Sequence, residues 1–157
     1  MMYRLVRITP NDYRDYRRSY EKIEYSFFKK GEEEPFVAQK VREITKGVIK
    51  GKGEFLDEVE DPKRELYFFK DENDEIKGIA ILIFDSNICD IYQFAVFEKG
   101  KGLGTILYTE ILKIIETHRP HKITLFCPYD GAALFWKKQG FKRKSEFFLE
   151  KKYNWKS

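Results

Sequence analysis

The spacing of hydrophobic residues predicts both helices and strands in this chain. Apolar and aromatic residues recur every three or four positions in three long segments, which is typical of amphipathic helices, over residues 10–23, 37–51 and 103–118. A shorter helix is predicted over residues 132–138. Short apolar runs bounded by polar turns indicate strands at residues 3–8, 65–70, 76–84, 88–97 and 122–127, and from residue 141 onward.

The order of these elements predicts a mixed sheet. Three consecutive strands are joined by the polar turns 71–75 and 85–87, which favours an antiparallel meander. The strong helix at 103–118 then lies between two strands, and that arrangement implies a parallel crossover. We therefore expect an α/β fold whose sheet is antiparallel at its start and becomes parallel at one strand pair.

Length and composition limit the classes of protein that fit. With 157 residues and 18.9 kDa, the chain is expected to form one domain over residues 1–157. Charged residues make up 36% but leave a net charge of only +4, which excludes a highly charged disordered chain. Cys89 and Cys127 are the only cysteines, so we expect no disulfide framework, no metal site and a reducing cytoplasmic location. The longest wholly apolar run, 79–84, is too short to cross a membrane.

The charge is unevenly distributed along the chain. Residues 54–75 hold ten acidic and three basic residues, a net charge of −7. Residues 137–157 hold eight basic and two acidic residues, a net charge of +6. Because there is no repeat or flexible linker between them, we interpret these segments as two regions of one domain.

The most specific segment is a glycine-rich loop between a predicted strand and the strongest predicted helix, and it reads Lys99-Gly100-Lys101-Gly102-Leu103-Gly104-Thr105. Glycines at such a junction let backbone N–H groups at the helix start approach an anion closely, so a phosphate is the natural ligand. The alternative is a turn that only connects strand to helix. The residue order does not fit a P-loop, and Thr105 replaces the third glycine of a dinucleotide fingerprint.

This loop is similar to the acetyl-CoA-binding loop [QR]-x-x-G-x-[GA] of the GNAT superfamily of acyl-CoA-dependent N-acyltransferases, with Lys99 where Gln or Arg is usual. Two further features carry the resemblance. Ala95-Val96 resembles the end of the family's fourth strand, and residues 132–141 (AALFWKKQGF) resemble its A-x-x-l-Y-x-x-x-G-F motif. The order of predicted elements matches the family's architecture over essentially the whole chain. The resemblance implies a mixed, mainly antiparallel sheet with a splayed parallel pair of strands, flanked by about four helices.

The resemblance also implies how acetyl-CoA, used as a cosubstrate, would bind. Backbone N–H groups from Gly100 to Thr105 would hold the pyrophosphate, with charge added by Lys99 and Lys101. The pantetheine arm would insert where the fourth and fifth strands part. The expected cofactor-binding residues are Phe94, Ala95, Val96, Lys99, Gly100, Lys101, Gly102, Leu103, Gly104, Thr105, Tyr129 and Trp136.

Catalysis by this family would require a group that takes the proton of the attacking amine. Asp90 matches the position of a glutamate base in some members, and the alternative is an acid that only faces water. Tyr92 lies on the same strand face if the pairing is regular, whereas a bulge would bring in Gln93 instead. Trp136 stands where many members have a tyrosine that protonates the departing thiolate. Tyr129 or Tyr92 is then the candidate phenol, unless the thiolate leaves unaided.

The acceptor is expected to be a primary amine on a small molecule or a peptide. Glu32, Glu33 and Glu34 lie in the loop that covers the acceptor site in this family, and with the acidic segment 54–75 they favour a cationic amine. The alternative is that these acids only stabilise a helix start or a solvated surface.

The sequence is also compatible with two other functions. One is a catalytically weak CoA-binding regulatory or sensor module, and the other is a nucleic-acid-binding surface that uses Lys142, Arg143 and Lys144. Nucleic acid is the less expected partner, no membrane partner is expected, and the chain is expected to be a monomer or a homodimer.

Overall fold

The computed structural model of this protein describes residues 2–8, 62–128 and 130–155. Within these ranges, seven strands form one sheet in the order β1-β2-β3-β4-β5-β7-β6. The strands are β1 (Tyr3–Ile8), β2 (Arg64–Asp71), β3 (Ile76–Asp85), β4 (Ile88–Val96), β5 (Lys122–Phe126), β6 (Lys142–Arg143) and β7 (Phe148–Lys152). Two helices, α1 (Leu103–Thr117) and α2 (Asp130–Lys138), lie in the described part of the chain.

β2, β3 and β4 form the expected antiparallel meander, because the polar turns between them let each strand fold directly back on the one before it. β1 adds to this meander by pairing antiparallel with β2. The turn between β2 and β3 is stabilised by Asp71, whose carboxylate accepts hydrogen bonds from the backbone N–H groups of Asn73 and Glu75 at 2.9 and 3.0 Å. The turn between β3 and β4 places Ser86 and Asn87 at positive φ.

The crossover through α1 makes β4 and β5 parallel, as the sequence predicts. On one face of the sheet, Tyr67, Phe69, Ala80 and Leu82 pack into the same buried cluster as the apolar side of α1. On the opposite face, a second set of side chains is fully buried, namely Leu66, Phe68, Ile79 and Ile81. Both faces of the meander are therefore covered.

The residues from Trp136 to Phe141 determine how α2 ends. Gly140 has φ 95°, and its N–H donates to the carbonyl of Lys137 at 3.0 Å. The N–H of Phe141 donates to the carbonyl of Trp136 at 3.1 Å. This is a Schellman cap, in which a residue of positive φ and a following hydrophobic residue close the helix. The rings of Phe141 and Trp136 supply the hydrophobic contact, with centroids 5.3 Å apart.

Two features differ from the sequence-based expectation. The last strand, predicted to run from residue 141 onward, is two short strands, β6 and β7, that pair antiparallel across the turn 144–147. Of about four expected helices, the described residues hold α1 and α2. The two further helices predicted at 10–23 and 37–51 lie outside the described residues. No helix in the described ranges is long and apolar enough to cross a membrane.

Candidate active site

The glycine loop 99–102 has a left-handed backbone at two positions. Gly100 has φ 83° and Gly102 has φ 69°. A Cβ built on either residue would meet no atom within 4 Å, so space is not what selects glycine here. The backbone conformation is the reason, since residues with a Cβ disfavour positive φ. Both glycines also leave open space directly in front of α1.

The first turn of α1 presents unpaired donors to that space. The N–H of Ile106 makes the first helical bond, to the carbonyl of Gly102 at 3.2 Å, so those of Leu103, Gly104 and Thr105 have no partner within the helix. No side chain caps this end and no acidic residue lies in the first turn. With the positive end of the helix dipole, these N–H groups can bind an anion.

Glu98 organises the lysines beside the loop. Its carboxylate contacts Lys101 Nζ and Lys77 Nζ, each at 2.6 Å. The hydrogen bonds from these two lysines lower the pKa of Glu98 to about 2, so it remains ionised at any working pH. The charge of Lys101 is therefore shared with Glu98. Lys99, which lies on the other side of Gly100, is exposed.

Beyond the loop, β4 and β5 part. Their pairing ends at Ile91 and Leu125. Past that point β5 stays with β7, because the N–H of Cys127 donates to the carbonyl of Phe147 at 2.6 Å. The gap is an open cleft of about 320 Å³. Its lining comes from β4, the end of β5 and α2: Ile91, Tyr92, Gln93, Phe94, Leu125, Phe126, Cys127, Pro128, Ala132 and Trp136.

Trp136 forms one wall of this cleft and is only 7% exposed. Its ring lies in a cluster of edge contacts with Phe94 at 4.8 Å, Phe135 at 4.9 Å and Tyr108 at 5.5 Å between centroids. Gly104, in the first turn of α1 directly after the loop, packs on the same cluster, because a Cβ there would lie 3.5 Å from the Phe135 ring. The aromatic cluster thus fixes the loop, the cleft and α2 relative to one another.

Asp90 lies in β4, one residue pair before the pairing of β4 with β5 ends, and its side chain is on the face of the sheet away from α1. It faces Thr124 across the parallel pair, and the Thr124 hydroxyl donates to its carboxylate at 2.7 Å. Burial raises the pKa of Asp90, while the Thr124 hydrogen bond and the positive charge of Arg64 act in the opposite direction. The net pKa is above its usual value, which makes this carboxylate a better proton acceptor than an exposed one.

A bulge in β4 decides which residues share the face of Asp90. Ile81 pairs with Gln93 and Leu82 pairs with Ile91, so Tyr92 is the extra residue. The bulge that the sequence left open is therefore present, and it places Gln93 on the face of Asp90. Tyr92 is 47% exposed, and the Arg64 guanidinium lies 4.8 Å from its ring centroid.

The structure brings most of the predicted site residues together. The loop from Lys99 to Thr105 lies at one end of β4, and Phe94 and Trp136 line the cleft beside it. Ala95 and Val96 continue β4 toward the loop, paired with β3. Tyr129 lies outside the described residues.

Sequence reasoning missed Thr124, Glu98 and the residues at the end of β5. A polar residue at an inner position of an otherwise apolar strand was the available signal for Thr124. For Glu98, the signal was its spacing of three from Lys101. Among the described residues, no group of three His, Cys, Asp or Glu could hold a metal ion, and the absence of a metal site stays a prediction.

Comparison with known proteins agrees with this geometry. The sequence matches the model of the acetyltransferase (GNAT) family over residues 5–141. No curated protein matches it. The fold is similar to the PaiA N-acetyltransferase of Thermoplasma acidophilum in complex with coenzyme A, with 19% identity, a TM-score of 0.63 and coverage of 98% of this chain and 100% of that one.

Two further structures have the same fold. A GNAT-family acetyltransferase from Staphylococcus aureus Mu50 is 12% identical with a TM-score of 0.55, over 96% of this chain and 99% of that one. A Bacillus subtilis acetyltransferase in complex with CoA is 16% identical with a TM-score of 0.53, over 64% of this chain and 83% of that one.

Proposed function

Because the chain belongs to the acetyltransferase (GNAT) family, we propose that it transfers an acetyl group from acetyl-CoA to a primary amine. One observation carries the proposal. The parted ends of β4 and β5 open a cleft next to the uncapped N-terminus of α1, so a site for an anion adjoins a channel for an extended chain. Coenzyme A has both parts, a pyrophosphate and a long pantetheine arm.

The residues present fit this ligand. The N–H groups of Leu103, Gly104 and Thr105 would hold the pyrophosphate, and the open space at Gly100 and Gly102 admits it. Lys99 adds positive charge from the exposed side of the loop. The unpaired edge of β4 beyond Ile91 offers backbone donors and acceptors to the amides of the arm, in the manner of an added strand.

Acetyl-CoA supplies the acetyl group as an activated thioester. The amine nitrogen must be neutral to attack the carbonyl carbon, although a free alkylammonium has a pKa of about 10.4. We assign Asp90 to receive its proton, directly or through water, as the C–N bond forms and the C–S bond breaks. Its raised pKa and its position one pair before the cleft support this role.

The leaving thiolate has no phenol at the position that the family motif suggests. Trp136 is buried in the aromatic cluster, and an indole N–H does not act as an acid near neutral pH. A thiol ionises near pH 8.5, so the thiolate is a good leaving group without assistance. Tyr92 lines the cleft, so among the described residues its phenol is our candidate for protonating a thiolate that needs assistance.

A thermal-shift experiment tests the binding half of the proposal. Acetyl-CoA and CoA at 100 times their Kd stabilise the protein by about 2.7 kcal/mol and raise the melting temperature, whereas an adenine dinucleotide does not. Release of free thiol with a panel of primary amines then tests turnover. If CoA compounds leave the melting temperature unchanged, the proposed function is wrong.

A CoA-binding regulatory module is a second candidate, and Trp136 in place of the motif tyrosine is the observation that favours it. The same two measurements separate the candidates. A regulatory module gains stability from acetyl-CoA but releases no thiol with any amine. An enzyme does both.

A further inference from the structure

We propose that the acceptor amine carries a carboxylate next to an apolar group, and that it binds in a second cleft formed by β4, β5 and β7. The simplest compound of this class is an apolar α-amino acid. This inference rests on the proposed function and names the class of its acceptor. It departs from the cationic acceptor that the acidic segments of the sequence favour.

The second cleft has a volume of about 470 Å³ and lies on the face of the sheet that carries Asp90. Its apolar floor is formed by Ile88 and Phe148. Its rim carries the ammonium groups of Lys122 and Lys144. An apolar floor with charge on one side fits an amphipathic small molecule better than a uniformly polar one.

Positive charge at this rim exceeds the negative charge that balances it. Lys122 Nζ and Lys144 Nζ lie 3.5 and 3.6 Å from Glu150 Oε2, and Lys152 Nζ lies 3.7 Å from Oε1. Burial raises the pKa of Glu150, but the three lysines outweigh it and hold the pKa below its usual value. Glu150 is thus ionised and offsets one of three positive charges. The remaining charge attracts an anionic group and disfavours a polycation.

Several of the acids expected to attract a cation form ion pairs elsewhere in the described part of the chain. Asp74 pairs with Arg4 and Lys70, and Glu75 pairs with Lys77. These residues lie at the turn between β2 and β3, which is at the opposite end of the meander from Ile88, the β4 residue that lines the second cleft. Glu32, Glu33 and Glu34 lie outside the described residues.

The second cleft is continuous with the candidate active site along β5. Lys122, Thr124 and Phe126 alternate on one face, so successive members are about 6.6 Å apart along the strand. Lys122 lies at the end that would bind the carboxylate of the acceptor, and Thr124 donates a hydrogen bond to Asp90. Phe126 borders the cofactor cleft, and its ring lies 5.5 Å from that of Phe148 in the second cleft.

This order places the groups of a bound amino acid. Its carboxylate lies toward Lys122 and Lys144, and its apolar side chain lies on Phe148. Its amine lies toward Thr124 and Asp90, next to the cleft that would hold the thioester. Phe126 and Phe148 are 59% and 46% exposed, and an apolar acceptor would cover them.

Pairs of amines that differ only by a carboxylate test the inference. Thiol release from acetyl-CoA is measured with L-phenylalanine against 2-phenylethylamine, with L-leucine against 3-methylbutylamine, and with spermidine as a polycation. We expect the amino acid of each pair to have the higher kcat/KM, and spermidine to be a poor acceptor. A preference for the decarboxylated amines or for spermidine overturns the inference but leaves the proposed function intact.

Lys144→Gln is the informative variant, because Lys144 is exposed on the rim and its loss does not disturb the core. It should raise the KM for L-phenylalanine about three- to tenfold, the usual effect of losing one charge-assisted contact, with the KM values for 2-phenylethylamine and acetyl-CoA unchanged. Lys152→Gln is the matched control, since Lys152 contacts the same carboxylate but does not line the cleft. Equal effects of the two variants would show only a general change in charge, and would refute the site.

If no amine is acetylated, a direct measurement of L-phenylalanine binding tests the inference. Calorimetric titration of L-phenylalanine into the wild-type protein and both lysine variants, with CoA present and absent, reports on the cleft without catalysis. Weaker binding to Lys144→Gln alone supports the inference. No binding of L-phenylalanine at millimolar concentration refutes it, whereas failure of acetyl-CoA to bind refutes the proposed function.

Discussion

Replacing Gly102 with alanine perturbs the candidate pyrophosphate site at the N-cap of α1. Gly102 has φ 69° and ψ 16°, in the left-handed region. A Cβ there meets no atom within 4 Å, so the variant neither fills a cavity nor creates a clash in the free protein. Two effects remain, which are backbone strain and the methyl group in the path of the anion.

The strain can be estimated from the conformation. Left-handed backbone costs a residue with a Cβ roughly 1–2 kcal/mol. For a chain of this size, 1 kcal/mol lowers the melting temperature by about 2–4 °C, so Gly102→Ala should lose about 2–8 °C. The effect on binding is separate. Losing one backbone N–H contact to a charged group is worth about 1.5–3 kcal/mol, which corresponds to a roughly 10- to 100-fold weaker Kd for acetyl-CoA.

Gly140→Ala is the matched control for this experiment. Gly140 also has a positive φ, of 95°, and its Cβ would make an ordinary 3.5 Å contact with the Lys151 side chain. It should lower the melting temperature by a similar amount without changing the Kd for acetyl-CoA. Both quantities are read from thermal unfolding and calorimetric titration. Wild-type affinity in folded Gly102→Ala would refute the assignment of the loop.

Four further predictions concern catalysis and stability. Asp90→Asn should lower kcat chiefly below about pH 8, where the amine most needs a proton acceptor, and leave the acetyl-CoA Kd near normal; an unchanged pH profile would remove Asp90 from this role. Burial raises the pKa of Asp90, so the wild type loses stability relative to this variant as the pH rises above about 4, and melting temperatures measured across pH should diverge in that direction. Tyr108→Phe should raise stability by about 1 kcal/mol in denaturant unfolding, since the buried Tyr108 hydroxyl has no hydrogen-bond partner among the described residues; a loss of stability would show that it has one. Trp136→Ala should lower stability by about 3–5 kcal/mol, because it empties the centre of the aromatic cluster, and a loss under 1 kcal/mol would contradict this packing.

Local patterns were sufficient to predict most of the described elements. Alternating or continuous apolar runs mark β2 to β5, and the strong periodicity from Leu103 marks α1. The glycines at 100 and 102 predict the left-handed loop, because few other residues adopt positive φ. The parallel crossover then follows from the order of elements, so the parting of β4 and β5 could be placed through the family resemblance.

The turn between β6 and β7 could not be predicted in the same way. Residues 144–147 contain no glycine, proline, asparagine or aspartate, and Ser145 alone is a weak turn signal. The bulge at Tyr92 was foreseen as an alternative, but alternation along β4 alone does not locate it. Its position depends on the register with β3, which is a property of the assembled sheet.

The arrangement of charges at the second cleft also could not be predicted from the sequence. Lys122 and Glu150 are 28 positions apart and meet because β5 and β7 are neighbours, and Lys144 joins them from the turn between β6 and β7. Likewise, Lys77 and Glu98 meet through the pairing of β3 and β4. Net charge counted by segment therefore does not show which charges lie side by side in the folded sheet.

The most direct test of the central claim is a backbone amide NMR titration of the ¹⁵N-labelled protein with coenzyme A. The account predicts the largest shifts at Leu103, Gly104 and Thr105, which would contact the pyrophosphate, together with Phe94 and Cys127 at the parted strands. If the amides at these positions are unperturbed and the shifts are confined to the lysines of β6 and β7, such as Lys142 and Lys151, the account is contradicted.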